Sequence, residues 1–437
     1  MNEELLYQIW EHQCLTKHQL TSNSGRSIEI IYPGIFDRDK GPDFKFCRYR
    51  IDGEICTGDV EIEVSFENWY HHKHSSNQDF RNVHLLVVMH SCADVTLIYH
   101  EMASQPIEIV SLEKIIDRAR LTEIQASSDE SQPQPFCPLY RSDEPVHLIL
   151  KNLGIQRINQ KLNRFQVRYQ DLELFDELIF QGIMESLGYS RNKENFLRLA
   201  SLFPLRTIRQ KVSSIPAGQI PYYLQWRWIH IGKMEPWVKE HYPDYLQWLT
   251  LKINKCSVPL EIESIQPTIP WNYHRVRPFN QPFLRLLFMS FWLVEKIKHG
   301  LTEELLLHFF SESDTLDALH QFLILDASLI SHPLIRLPYN LGHDRQRIIL
   351  FNILLPLLLI FFRLETETHQ ETKIWTILEN FPALADNFPL SLVRRRYGYM
   401  NRVLPADNSA LIQQGWLQLF REYCQKGLCS TCLLGDK

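Results

Sequence analysis

The first ninety or so positions alternate between apolar and polar residues in patterns that predict one helix followed by strands. From Asn2 to Gln13 the apolar side chains fall on one stripe, as in an amphipathic helix. Turn signals then separate three β-rich runs: Ile28 to Tyr32, Phe44 to Ile51 and Gly58 to Val64. A polar, histidine-rich segment follows, which we expect to be a helical crossover. The near-continuous apolar run from Val83 to Met89 then predicts a strand buried on both faces.

The rest of the chain has a different pattern. Ser127 to Pro138 is rich in Ser, Gln, Asp, Glu and Pro, which is typical of a linker. Helical periodicity dominates after it, without a fixed-period repeat. The predicted helices are Val146 to Asn163, Leu172 to Leu187, Asn195 to Leu202, Tyr222 to Ile231, Pro282 to Lys298, Thr302 to Phe310, Ile348 to Leu364 and Ala410 to Cys424. We therefore predict an α+β protein with an α/β domain at residues 1–126, a linker at 127–144 and an irregular, mostly helical domain at 145–437.

Three acidic residues of the first domain fall on neighbouring strands. Asp43 follows the Gly41-Pro42 turn, and in Val60 to Val64 the acids alternate with apolar residues, so Glu61 and Glu63 share one strand face. A solvent-exposed acidic face is one interpretation of this pattern. A Mg²⁺ or Mn²⁺ site with Asp43 and Glu61 as metal ligands is the other, because hard cations prefer carboxylate oxygens.

The order of helix, three strands, crossover and strand, with Pro42-Asp43 and Glu61-Ile62-Glu63 at these places, resembles the PD-(D/E)xK fold of restriction enzymes and recombination nucleases. The resemblance covers only the first domain. It implies a metal-dependent phosphodiester hydrolase acting on DNA or RNA, in which Asp43 and Glu61 hold the metal and Glu63 assists.

One position departs from that family. Its pattern has a lysine two residues after the second acid, where this chain has Glu63. The nearby candidates to replace that lysine are Lys40, Lys45, His71, Lys73 and His74. The departure also supports an alternative hypothesis, in which an inactive nuclease-fold scaffold binds a nucleic acid or an unidentified protein partner.

Trp69 to His74 is rich in histidine. His71 and His74 are one helical turn apart, the spacing of zinc-ligand pairs. Solvated imidazoles on a surface loop are an alternative. A third is that they line the acidic site, where His74 takes over the proton-transfer role of the absent lysine.

The whole chain also resembles an uncharacterised bacterial family, number 2851 among the domains of unknown function. The stretches that carry this resemblance are Gly41 to Phe44, Gly58 to Ile62, Trp69 to His74 with Val83 to Val88, Arg275 to Pro278, and Tyr423 to Gly435. The resemblance implies that the two halves of the chain belong together. It implies no function.

Two clusters in the second half combine guanidinium groups with aromatic rings. The first contains Arg275 and Arg277, and the second contains Arg394, Arg395 and Arg396. Such clusters suit phosphate contacts and base stacking, so we predict nucleic-acid binding there. Arginines that neutralise helix ends or pair with acids explain the same pattern.

The last residues contain Cys424, Cys429 and Cys432 around a glycine, including a Cys-x-x-Cys pair. We predict that they hold zinc or an iron-sulfur cluster together with Cys137 of the linker, or with Cys14 as second choice. The arrangement resembles recombination nucleases of the PD-(D/E)xK fold that close a cluster with three C-terminal cysteines and one distant cysteine. Accidental or redox-reactive terminal cysteines are the alternative.

Composition sets outer bounds. The chain has 437 residues, 45% of them hydrophobic, so it is globular with more than one core. Its formal net charge of -5 gives no overall basic signature. The acidic start and nine cysteines favour the cytoplasm. The apolar run from Ile348 to Phe362 contains Asn352 and Pro356, and we interpret it as a buried core helix in a protein that does not enter a membrane.

Overall fold

A computed structural model describes most of the chain, and its described ranges are 3–16, 19–37, 41–90, 94–126, 143–172, 174–189, 191–254, 268–273, 276–311, 315–325, 341–396, 408–428 and 431–434. The chain divides into two compact units. One, the sheet unit, comprises residues 1–157 and 386–437, and the other, the helical unit, comprises residues 158–385. The α+β class is thus confirmed. Most of the predicted linker, residues 127–142, lies outside the described ranges.

The sheet unit begins with helix α1 (Glu3–Glu11), which is followed by an eight-stranded mixed sheet. The strands are β1 (Gln19–Thr21), β2 (Ser27–Tyr32), β3 (Ile35–Phe36), β4 (Phe44–Ile51), β5 (Glu54–Glu63), β6 (Val83–Val88), β7 (Leu97–Tyr99) and β8 (Pro106–Ser111). Their order is β1-β2-β4-β5-β6-β8-β7, with β3 paired to β4. Strands β2, β4 and β5 form an antiparallel meander, whereas β6 runs parallel to both β5 and β8.

The parallel β5–β6 pair requires a crossover, because parallel neighbours cannot be joined by a tight turn. This crossover contains the short helix α2 (Asn68–His71) and two single 3₁₀ turns, His74–Ser76 and Gln78–Phe80. Side chains alternate along β5, so Val60 and Ile62 pack with α1 while Trp69 and Phe80 of the crossover cover the opposite face of the sheet. The crossover therefore lies on the face to which Glu61 and Glu63 belong.

The C-terminal segment belongs to the sheet unit. Its helices are α17 (Phe388–Arg396) and α18 (Ala410–Glu422). Trp416 of α18 is fully buried in one apolar cluster with Tyr32 and Ile35 of the sheet. The predicted helical domain ran to residue 437, but burial of this apolar face groups residues 386–437 with the strands instead.

Helix α18 also crosses the first half of α4 (Asp143–Leu172) at a pair of glycines. A Cβ atom on Gly415 would lie 2.0 Å from the Leu150 carbonyl oxygen, and one on Gly154 would lie 2.3 Å from that of Leu411. Each glycine therefore faces the other helix's backbone, which cannot move aside as a side-chain tip can. This crossing needs glycine on both helices.

We expect Gly415→Ala to lower the free energy of unfolding by about 1–3 kcal/mol or more, the usual cost of overpacking. Urea denaturation measures the change. The control is Gly218→Ala, because no atom lies within 4 Å of a Cβ placed there. An equally small effect of both substitutions would show that the two helices do not meet at Gly415.

The remaining helix of the sheet unit is α3 (Arg118–Ala126). The helical unit comprises the rest of α4 and the helices α5 (Phe175–Leu187), α6 (Lys193–Leu202), α7 (Leu205–Val212), α8 (Ile220–Ile231), α9 (Glu235–His241), α10 (Pro243–Ile253), α11 (Pro282–Lys296), α12 (Leu301–Phe309), α13 (Thr315–Phe322), α14 (His343–Ile349), α15 (Leu355–Leu364) and α16 (Thr368–Asn380). One π-helical segment, Leu350–Leu354, joins α14 to α15 without a break.

That continuous helix, His343–Leu364, has 22 residues, and its most apolar stretch has a mean hydropathy of 2.2, so it is long and apolar enough to cross a membrane by length and composition. It begins at His343, earlier than the predicted start at Ile348. The apolar pattern does not reveal this first turn, because the turn is polar. Within its unit, 67% of the most apolar stretch is buried, as in the core helix of a folded domain. The expectation of a core helix stays a prediction.

Candidate metal site

Two backbone hydrogen bonds hold the carboxylates of Asp43 and Glu61 on neighbouring strands. In the β4–β5 ladder Phe44 pairs with Val60, so Asp43 lies across from Glu61. The Asp43 amide donates to Glu61 Oε2 at 3.0 Å, and the Ile62 amide donates to Asp43 Oδ2 at 3.0 Å. The side chain of each acid is thus fixed by the backbone of the other strand.

Two histidines of the crossover reach the third acid, Glu63. Helix α2 ends at His71, and Lys73 takes a left-handed conformation with φ of 60°. This change of direction brings both His72 and His74 to the same carboxylate. His72 Nδ1 lies 2.8 Å from Glu63 Oε1, and His74 Nε2 lies 3.2 Å from that oxygen.

His74 links the two glutamates. Its Nε2 atom is 3.2 Å from Glu61 Oε1 as well as from Glu63 Oε1. The imidazole stacks on the Phe80 ring, with 3.9 Å between centroids and 23° between planes. This packing fixes the His74 ring, and the two backbone hydrogen bonds fix Asp43 and Glu61. We call Asp43, Glu61, Glu63, His72 and His74 the acid-histidine cluster.

Both glutamates of the cluster are buried, and Asp43 is partly buried. Glu61 is 5% exposed and Glu63 is 2% exposed. The interpretation of β5 as a solvent-exposed acidic face is therefore wrong. The crossover, with Trp69 and Phe80, covers the face that an open antiparallel sheet would leave to water.

The three acids of the cluster differ in the direction of their pKa shifts. Burial raises the pKa of Asp43, against opposing hydrogen bonds from the Ile62 amide and the Tyr7 hydroxyl. Burial, followed by the negative charge of Asp43, raises the pKa of Glu61. Burial also acts to raise the pKa of Glu63, but the hydrogen bonds with His74 and His72 outweigh it and hold that pKa below its ordinary value.

The donor set fits a divalent cation. One ligand atom from each of Glu63, His72 and His74 lies within 4.8 Å of the other two, the arrangement of a three-ligand metal site. Glu63 Oε2 and His74 Nδ1 are buried without a hydrogen-bond partner. Carboxylate and imidazole together suit Mn²⁺ and heavier transition ions better than Mg²⁺, which prefers oxygen ligands alone.

The candidates for the missing lysine lie in different places. Lys40 is outside the described residues. The Lys45 ammonium pairs with Asp37 at 2.5 Å, and Lys73 is exposed. His74 contacts both glutamates.

The predicted pairing of His71 with His74 on one helical face is wrong, because α2 ends between them. His72 was not predicted as a site residue. Its only signal in the sequence is its place near His74 in the histidine run. The left-handed conformation of Lys73, between the two histidines, allows both of them to reach the Glu63 carboxylate.

The predicted arginine clusters are only partly described. Arg275 and the side chains of Arg395 and Arg396 lie outside the described residues, and Arg277 is exposed. Arg394 Nη1 lies 3.1 Å from both carboxylate oxygens of Asp386, which is the ion pairing that the sequence left open. Nucleic-acid binding at these arginines stays a prediction.

The aromatic rings beside Arg275 are used inside the helical unit. Tyr273 stacks on Trp237, with 4.6 Å between ring centroids, and Trp271 donates from its indole to the Gly232 carbonyl. Phe279, in contrast, is 61% exposed. Of these three rings, Phe279 is the most exposed.

The cysteine prediction falls partly outside the described residues, since neither Cys137 nor Cys429 is described. Cys424 and Cys432 are both half-buried and pack against the same apolar cluster, which contains Trp416. Cys14 is fully buried in the core between α1 and the sheet. The metal centre at these cysteines stays a prediction.

Comparison with protein families places the chain. Residues 3–387 match the family described as "Protein of unknown function (DUF2851)". The chain belongs to this family, as its motifs indicated, although the segment from Tyr423 to Gly435 lies beyond the match. Comparison with curated proteins and with solved structures finds no match for this chain.

Proposed function

We propose that the sheet unit is a metal-dependent phosphodiester hydrolase that acts on DNA or RNA. The observation that carries this proposal is the acid-histidine cluster, in which three carboxylates from adjacent strands meet two imidazoles from the crossover. Clusters of ionisable groups with shifted pKa values in a buried position are typical of active sites. A cytoplasmic location and a nucleic-acid partner belong to the same proposal.

The topology supports this proposal. Helix α1, the meander β2-β4-β5, the crossover and the parallel strand β6 follow the order that the PD-(D/E)xK resemblance implies. Asp43 stands at the start of the second strand of that meander, and Glu61 near the end of the third. The PD-(D/E)xK identity itself is part of the proposal.

Each residue of the cluster takes a defined role. Asp43 and Glu61 hold a divalent ion through oxygens that their backbone hydrogen bonds already orient. Glu63, His72 and His74 contribute further ligand atoms. A bound divalent ion supplies Lewis acidity and lowers the pKa of water. His74, which contacts both glutamates, takes the position of the absent lysine as a ligand that orients them.

A cleavage assay tests the proposal. Metal-free protein is incubated with labelled single-stranded and double-stranded DNA and RNA, with Mn²⁺, Mg²⁺ or EDTA. We expect cleavage with Mn²⁺ that EDTA abolishes. The His74→Gln variant should lose it, whereas His71→Gln, an exposed neighbour, should keep it. No cleavage of any substrate by the wild type would contradict the proposal.

A second function is favoured by one observation. The lysine position is occupied by Glu63, and the neighbouring Lys45 is paired with Asp37. An inactive nuclease-fold scaffold that binds metal and a nucleic acid or protein partner accounts for this arrangement. Saturable metal binding without cleavage in the same assay would favour the scaffold.

The raised pKa values of Asp43 and Glu61 give a pH prediction. A carboxyl group whose pKa is raised on folding stabilises the protein below its unfolded pKa and loses that contribution as pH rises through the folded pKa. A divalent ion binds the ionised form, so the stabilisation due to Mn²⁺ should increase as pH rises through the pKa of Asp43, about 7, and on towards the higher pKa of Glu61, about 10. The change in melting temperature with and without Mn²⁺ measures it, and a pH-independent difference would contradict it.

We also propose that Cys424, Cys429 and Cys432 share zinc or an iron-sulfur cluster with a distant cysteine, Cys137 in preference to Cys14. Its support is the common packing of Cys424 and Cys432 against one cluster. Structural metal contributes about 10–16 kcal/mol of apparent binding energy to small domains, so its loss should be strongly destabilising. Unchanged zinc and iron content in Cys429→Ser would reject this centre.

A further inference from the structure

Two arginines of the helical unit converge on one tyrosine ring. The Arg345 guanidinium carbon, on α14, lies 3.3 Å from the centroid of the Tyr189 ring, and that of Arg285, on α11, lies 5.6 Å from it. Arg285 Nη2 donates to the Tyr189 hydroxyl at 3.1 Å. Helices far apart in the sequence thus bring two positive charges to the end of α5.

The two charges have no negative partner among the described residues. Arg285 donates to the Asn280 amide oxygen at 2.6 Å, and Arg345 Nη1 donates to the Ser186 carbonyl at 3.2 Å. Three further nitrogen atoms, Nε and Nη1 of Arg285 and Nε of Arg345, are buried without a hydrogen-bond partner. Buried charges are ordinarily paired, because an unpaired one loses its hydration without compensation.

One of the two arginines is deeply buried, whereas the other arginine and the tyrosine are partly open to solvent. Arg285 is only 4% exposed, whereas Arg345 and Tyr189 are partly exposed. Burial lowers the pKa of both arginines, and the positive charge of Arg285 lowers that of Arg345 further. A guanidinium group keeps its proton in proteins. The free-energy cost of burying these two positive charges therefore remains unless an anion offsets it.

The backbone at Tyr189 is itself constrained. Tyr189 has a φ of 52°, a left-handed conformation that residues other than glycine rarely adopt, and such outliers concentrate at binding sites. The preceding Gly188 packs against the next turn, where an added Cβ would lie 2.3 Å from the Asn192 carbonyl group. The end of α5 is therefore held in the one conformation that presents Tyr189 to both arginines.

We propose that Arg285, Arg345 and Tyr189 form a binding site for a phosphate group. Two guanidinium groups with unused N–H donors match the several oxygens of a tetrahedral oxyanion, and an anion would neutralise both charges. Free phosphate, a nucleotide and a nucleic-acid backbone offer this same chemistry. The proposal concerns the helical unit and does not depend on hydrolase activity in the sheet unit.

Calorimetric titration of the metal-free full chain, in EDTA and a phosphate-free buffer, tests this site. The probes are inorganic phosphate, a nucleoside 5′-monophosphate and a short single-stranded oligonucleotide. We expect at least one to bind, and the tightest identifies the source of the group. Arg345→Gln should weaken that binding by at least about tenfold. The control is Arg363→Gln, since Arg363 already pairs with Glu371 at 2.9 Å, and it should bind like the wild type.

The circular-dichroism spectrum establishes whether Arg345→Gln is folded. If it is not, Arg345→Lys is used, which keeps the positive charge but loses the planar fork of donors, and it too should bind more weakly. Failure of all three probes to bind the wild type would overturn the proposal. Equal affinity of the wild type and the folded Arg345 variant would also overturn it.

Discussion

Replacing Asp43 by asparagine is expected to lower the rate of metal-dependent cleavage by about 100-fold or more while the protein stays folded. Asparagine keeps an oxygen that accepts the Ile62 amide hydrogen, so the local backbone is preserved. It removes a negative charge that the metal ion needs. Cleavage rates at saturating Mn²⁺, with the thermal unfolding curve of each variant, measure the effect.

Asp59→Asn is the matched control. Asp59 is a buried aspartate of β5 that, like Asp43, accepts a backbone amide, in its case that of Phe46 at 3.1 Å, but it is not a member of the acid-histidine cluster. Its replacement should leave the cleavage rate unchanged. Equal loss of activity in both variants would indicate a structural effect, and retained cleavage in Asp43→Asn would remove Asp43 from the mechanism.

Replacing Glu61 by glutamine is expected to stabilise the metal-free protein and to abolish its response to metal. Glutamine keeps an acceptor for the Asp43 amide but removes a carboxylate whose pKa is raised by burial and by Asp43. Each unit of raised pKa corresponds to about 1.4 kcal/mol. We expect the free energy of unfolding above neutral pH to rise by about 1–3 kcal/mol, measured by urea denaturation in EDTA.

Glu108 provides the opposite case on strand β8. It is 2% exposed, like the acids of the cluster, but it accepts from Ser24 at 2.5 Å and pairs with Arg26 at 3.4 Å. Glu108→Gln should therefore lower stability. If Glu61→Gln lowers stability as Glu108→Gln does, the buried Glu61 carboxylate is already stabilised by groups of the protein itself. That result would contradict its role as a metal ligand.

Much of the sheet unit was predictable because its signals are local. Apolar alternation and turn residues located α1, β2, β4, β5 and β6 to within a few residues of their observed ends. Strands β1, β3 and β7 were missed because they have only two or three residues, too few for a period to appear. Strand β8 was also missed, although it has six residues. Helices such as α7 and α9 were missed for the same reason, since eight and seven residues span about two turns.

The candidate site was also predictable only where its residues lie on regular elements. Asp43, Glu61 and Glu63 lie on regular strands, so period and turn placement predicted that they would lie near one another. The approach of both His72 and His74 to Glu63 depends on the left-handed backbone of Lys73 between them, which no residue pattern specifies. The pairing of Arg285 and Arg345 with Tyr189 joins residues distant in the chain, and only tertiary packing brings them together.

The most direct test of the metal site is calorimetric titration of the metal-free protein with Mn²⁺, with the wild type, His74→Gln and His71→Gln measured side by side. We predict saturable binding by the wild type and by His71→Gln, and at least about tenfold weaker binding by His74→Gln, since the loss of one ligand removes a large part of the affinity. Absence of Mn²⁺ binding by the wild type, or equal affinity in His74→Gln, would contradict a metal site in the acid-histidine cluster.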